Sequence, residues 1–162
     1  MSEKPSTLFL IVFSTLGSIV FSAFALNGNP VVLFVIPVAV LAALLYDEQT
    51  GLLVGITGAV LAGIVLYSIA KWEIAALAIA AGAAGYLAGR ISKQKTPLEL
   101  VFYTVIGTLI FEVLHGVNTG RTILFRPEMI LGSTPETGAR LLAGIIIAFA
   151  LAAYWLPEKA KK

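Results

Sequence analysis

The sequence predicts an all-α fold, a polytopic membrane bundle of six transmembrane helices with both termini on the inner side. Three observations carry that prediction. Of 162 residues, 59% are apolar and only 12% charged, where an ordinary soluble domain carries about 25% charged residues. The apolar residues also gather into long runs, as lipid demands of a chain that crosses it. Finally, Lys and Arg fall unevenly on the two sides of those runs. Such a chain cannot clothe a water-facing surface, which excludes a soluble enzyme, a nucleic-acid reader and a disordered regulator.

A crossing helix needs about 20 apolar residues. By that measure residues 1–162 form a single integral membrane domain with six candidate spans. The first, 7–26, ends at Asn27-Gly28-Asn29-Pro30. The second, 31–46, is short and closes with Asp47-Glu48-Gln49-Thr50. Pro37 within it removes a backbone hydrogen bond, which predicts a kinked or incompletely spanning segment. The third, 51–70, and the fourth, 73–89, are separated by Lys71-Trp72-Glu73. Pro97 suits the first turn of the fifth, 98–117, and the sixth covers 138–156 before Pro157. Lys4, the first run and Ala23-Phe24-Ala25 mimic a signal peptide, but the run is long for one and reads better as a retained span. Only one connection is long, Asn118–Thr137. Loops of that length are lids, binding loops or disordered, and the amphipathic stretch around Ile123–Leu131 suits either the mouth of the bundle or a segment lying in the interface with its arginines at headgroups.

Charge orients the spans. With the N-terminus inside, Lys4, Arg90, Lys93, Lys95, Lys159, Lys161 and Lys162 are cytoplasmic, while Lys71, Arg121, Arg126 and Arg140 are outside. The bias gives both termini to the cytoplasm of a multi-pass cell-membrane protein. A net charge of +2, with the basic residues beside spans, gives no sign of a nucleic-acid partner. Tyr67 and Trp72 at one interface, and Tyr154 and Trp155 at the other, read as anchors. There is no cysteine and one histidine, His115, so no thiolate or multi-histidine metal site is expected, and no cofactor.

Small residues mark packing faces. Gly51, Gly55, Ala59 and Gly63 recur every four residues in the third span, and Ala81, Gly85 and Gly89 in the fourth. Such faces let two backbones approach closely within one bundle. Ser14, Ser18 and Ser22 share that spacing in the first span. They suit either internal packing or docking against a partner's helices.

The fifth span carries the most informative pattern. Thr104, Thr108, Glu112 and His115 fall within about 80° of one helix face, and Thr119 continues the line. A carboxylate within the bilayer must be paired or neutral, and ionisable groups there usually mark function. His115 stands three residues from Glu112, within reach along a helix. Arg121, Arg126 and Arg140 are alternative partners on the same expected side. The candidate binding residues are therefore Glu112, His115, Thr108, Asn118, Arg121 and Arg126; a buried network that binds nothing is the competing interpretation. Glu-x-x-His is half of a di-metal carboxylate site whose other half is missing. With no Gly-x-Ser-x-Gly elbow and no phosphate loop, no catalytic residue is expected.

Further residues carry a resemblance. The run Ile36-Pro37-Val38-Ala39-Val40-Leu41-Ala42-Ala43-Leu44-Leu45, then Gly51 to Gly63, is similar to the second and third spans of the substrate-binding S components of energy-coupling-factor vitamin transporters. Tyr86-Leu87-Ala88-Gly89-Arg90 looks like the end of that family's fourth span. The resemblance implies capture of a small water-soluble nutrient at the outer halves of the later spans. It also implies a separate transmembrane coupling subunit and ATPase subunits, since this chain has no phosphate loop. In that family an Ala-x-x-x-Ala contact on the first span meets the coupling subunit, and Ser14, Ser18 and Ser22 hold the corresponding spacing. A second resemblance, of Leu109-Ile110-Phe111-Glu112-Val113-Leu114 to the MreD cell-shape family, implies a membrane scaffold without a transport ligand.

Overall fold

The structure, a computed structural model, describes residues 4–24, 34–65, 71–119 and 135–156. Among these residues there are six helices and no strand: α1 (Thr7–Phe24), α2 (Val35–Leu45), α3 (Glu48–Val65), α4 (Lys71–Ile91), α5 (Pro97–Thr119) and α6 (Pro135–Trp155). The segments Glu48–Val65, Trp72–Ile91 and Pro97–Val117 are long and apolar enough to cross a membrane.

α2 is the axis of the bundle. All eleven of its residues are apolar and buried, as a helix without a polar face must be. It touches each of the other five helices. Eleven residues span only about 16 Å, well short of a hydrocarbon core of about 30 Å. The kink expected at Pro37 does not arise: this proline is the third residue of α2, in the first turn, where its missing N–H leaves no helical bond unmade.

The ends of α2 fix its level. At its C-terminus Lys4 Nζ donates to the carbonyl of Leu45 at 3.2 Å and sits over the Tyr46 ring, while the Tyr46 hydroxyl donates to the carbonyl of Pro5. A cation there complements the helix dipole. At its N-terminus Val35 and Ile36 lie against Gly58 of α3 and Gly107 of α5, both near the middle of their helices. α2 therefore occupies one half of the bundle's interior. That half also holds Arg90, which approaches Glu48 at 3.6 Å, and Trp155 of α6, whose ring meets Phe9 and Phe13 of α1.

Local chemistry sets the helix starts. α3 begins at Glu48, three residues earlier than its apolar run, because the Thr50 amide donates to Asp47 Oδ1 at 2.7 Å and Asp47 thereby becomes the cap. Hydrogen bonding from the Thr50 amide, and then from its hydroxyl, holds the exposed Asp47 carboxyl below its ordinary pKa. At α5 the amide of Thr96 donates to Glu99 Oε2 at 2.9 Å and the amide of Glu99 to Thr96 Oγ1 at 3.3 Å, a reciprocal capping box. Lys95 just before it takes a φ of 54°.

The small-residue faces of α3 and α4 meet each other. A Cβ added to Gly85 would stand 2.7 Å from the backbone of Gly51, and one added to Gly55 would stand 2.7 Å from that of Ala81. The two helices run antiparallel with backbones almost touching. Ser14 and Ser18 of α1 are likewise turned inward: both are fully buried, their hydroxyls donate to the carbonyls of Ile11 and Ser14, and Ser14 Oγ lies against Gly58. Within the chain these two side chains serve packing. The side chain of Ser22 lies outside the described residues.

Candidate functional site

Along α5, a residue every fourth position returns to nearly the same face. Thr104, Thr108 and Glu112 are so placed, and all three are buried, at 1%, 1% and 6% exposure. The stripe faces α6. Gly144 lies opposite Thr104 and Thr108, and one helical turn earlier Arg140 lies opposite Glu112. α5 and α6 are therefore antiparallel neighbours.

Arg140 Nη1 donates to Glu112 Oε1 at 2.8 Å, and both side chains are buried. The short distance and the burial of both ends mark a charge-assisted bond of the strong kind. Neither charge is tolerable alone in a low-dielectric interior, so each holds the other in place. Gly107 stands at the level where α2 begins, and Glu112 lies five residues further along α5, about 7.5 Å. The pair thus belongs to the half of the bundle into which α2 does not extend.

His115 lies one turn beyond Glu112, half-buried. Its ring stacks on Phe111 with centroids 5.8 Å apart. Its Nδ1 stands 3.5 Å from Glu73 Oε1 in the first turn of α4. Three helices thereby bring two carboxylates, a guanidinium and an imidazole to one end of the bundle.

Two hydroxyls continue this polar line inward. Thr108 Oγ1 donates to the carbonyl of Thr104 at 2.9 Å, the back-bond a helical threonine usually makes. Thr104 differs: its Oγ1 is buried and has no hydrogen-bond partner among the described residues.

Of the residues expected at a site, the structure brings Thr108 and Glu112 together with His115 adjacent. Asn118 is in the last turn of α5, but its side chain, and all of Arg121 and Arg126, lie outside the described residues. Sequence reasoning placed Arg140 among the possible partners of Glu112 and missed Glu73 altogether. The signal for Glu73 was available, since it opens the fourth span on the side where the fifth ends. No group of three or more His, Cys, Asp or Glu able to hold a metal occurs among the described residues. The arrangement suits orientation of a polar solute by hydrogen bonds and matched charges.

Against known protein families, curated proteins and solved structures, the chain finds no match.

Proposed function

We propose that this chain is a six-span cell-membrane protein with both termini in the cytoplasm, which captures a small water-soluble, vitamin-like nutrient from outside. In this proposal it acts as the S components of energy-coupling-factor transporters do, with a transmembrane coupling subunit and ATPases on other chains supplying energy. One observation supports it above the rest. The buried Glu112–Arg140 pair sits in the half of the interior that α2 leaves to other groups, at the end where Glu73 and His115 also gather. Burying charge in a membrane protein is costly, and such groups commonly line a solute site. The basic residues Lys4, Arg90, Lys93 and Lys95 at the opposite end support placing that end in the cytoplasm.

The test is thermal unfolding of the purified protein with thiamine, riboflavin, biotin, pantothenate and nicotinate in turn. A compound present at a hundredfold excess over its Kd adds about 2.7 kcal/mol to the stability. The expected result is one responding compound, whose effect falls when Glu112 is replaced by Gln. A scaffold of the MreD kind draws support from Glu112 already being satisfied within the chain. It predicts no response to any compound and co-purification with cell-shape proteins.

A further inference from the structure

The glycines of this bundle differ in how closely their neighbours approach. A Cβ on Gly51, Gly55, Gly58, Gly63, Gly85 or Gly89 would strike its neighbours, with the nearest atoms at 2.7 Å or less. At those crossings the helices are sealed. Gly144 is different. A Cβ there would meet only Thr104 Cγ2 at 3.5 Å and Thr108 Oγ1 at 3.7 Å among the described residues, which is ordinary van der Waals contact. At Gly144 the seam between α5 and α6 would accept one more carbon in ordinary contact, where the seam between α3 and α4 at Gly51, Gly55 and Gly85 accepts none.

The seam at Gly144 is also where a hydroxyl goes unused. Thr104 is 1% exposed, and its Oγ1 has no partner among the described residues. A buried hydroxyl in that condition is costly and is conspicuous in a native fold. Thr104 forgoes the carbonyl of Leu100 one turn back, the bond its neighbour Thr108 makes to Thr104 itself. Its methyl lies toward Gly144.

We propose that Thr104 and Thr108 form the floor of the capture site, with Gly144 beside them on α6 and the Glu112–Arg140 pair standing above. The inference rests on the capture function proposed above and names the chemistry the floor accepts. Thr104 Oγ1 offers a free donor and acceptor, and Thr108 Oγ1, its proton committed, offers an acceptor. The charges of Glu112 and Arg140 already match. The complementary group is uncharged and both donates and accepts, an alcohol or the edge of an amide, rather than a carboxylate or an ammonium. Its hydrogen bond to Thr104 would satisfy a buried hydroxyl that has no partner among the described residues.

The chain has no cysteine, so a single introduced thiol reports its own surroundings. The variants Thr104→Cys, Thr108→Cys and Leu109→Cys, reconstituted in vesicles, are treated from outside with 2-aminoethyl methanethiosulfonate. Leu109 is 44% exposed on the outer surface of the bundle and serves as the lipid-facing control. The expected result is labelling of the two threonine positions about tenfold or more faster than position 109, slowed again when Gly144→Val fills the seam; a tenfold ratio is about 1.4 kcal/mol in a barrier. Labelling of both threonine positions no faster than position 109 overturns the floor, whatever the vitamin panel shows. A second arm uses Thr104→Val, which keeps the shape and removes the hydroxyl. For the vitamin that stabilises the parent protein, Kd should rise about tenfold; an unchanged Kd overturns the assignment of Thr104. If no vitamin stabilises the parent protein, the capture function fails and the labelling still judges the seam.

Discussion

Arg140 and Glu112 are 28 residues apart in the chain and 2.8 Å apart in space, and the bond between them joins α5 and α6. Removing one partner takes the counter-ion from a buried charge, which typically costs about 3–5 kcal/mol. Glu112→Leu and Arg140→Met should each lower thermal stability by that order. The double variant should recover most of the loss, because two apolar side chains replace a matched pair at little cost. Unfolding in detergent, followed by Trp fluorescence, reads all three. Equal losses in the single and double variants would show that the pair does not act as a unit.

Gly85 and Gly144 should respond oppositely to alanine. At Gly85 the added carbon would stand 2.7 Å from the carbonyl group of Gly51, and backbone cannot swing aside as a side-chain tip can. Overpacking of this kind costs about 1–3 kcal/mol. At Gly144 the same carbon meets atoms at 3.5 and 3.7 Å, while alanine gains about 1 kcal/mol in helix propensity. Gly144→Ala should therefore be neutral or stabilising, and Gly85→Ala destabilising. Thermal midpoints of the two variants measured side by side test this.

The helices were legible because lipid-length apolar runs leave few alternatives; α4, α5 and α6 differ from their expected bounds by three residues or fewer. Depth was legible only in part. The shortness of the second run and Pro37 left a kinked and an incompletely spanning segment as alternatives, and the level at which α2 lies is set by its contacts with Gly58 and Gly107. The starts of α3 and α5 were readable in principle from Asp47 and from Thr96-Pro97-Leu98-Glu99, where capping chemistry overrides hydropathy. The face of the Thr104–Thr108–Glu112 stripe followed from period alone. Its true partner did not, since Glu112 had His115 on its own helix and three arginines within plausible reach. Helical phase tells which way a side chain looks, and only the antiparallel register of α5 and α6 decides what it meets.

Asp47 predicts an acid limb to stability. Its folded pKa is lowered by the Thr50 amide and hydroxyl, so the carboxylate binds its proton more weakly folded than unfolded. The stabilisation is fully present above the unfolded value and is lost as pH falls through the folded one. Asp47→Asn keeps a capping oxygen but removes the titration. The parent protein should lose stability relative to this variant on acidification below about pH 4, and a constant difference from neutral pH to pH 3 would exclude the linkage.

The approach of Glu73 to His115 at the same end should behave unlike the Glu112–Arg140 pair. Glu73 and His115 are 3.5 Å apart with side chains 29% and 24% exposed, so water screens them and little desolvation was spent in bringing them together. Pairs in such surroundings contribute about 0.2–1 kcal/mol. Glu73→Gln should shift thermal stability by no more than that, and the shift should shrink as salt is raised. Under the proposed function the same substitution lies at the mouth of the site rather than on its floor. It should therefore slow capture of a responding vitamin more than it speeds release, because a rim charge acts mainly on association. Stopped-flow binding separates the two rates, and a change confined to release would place Glu73 deeper than its exposure indicates.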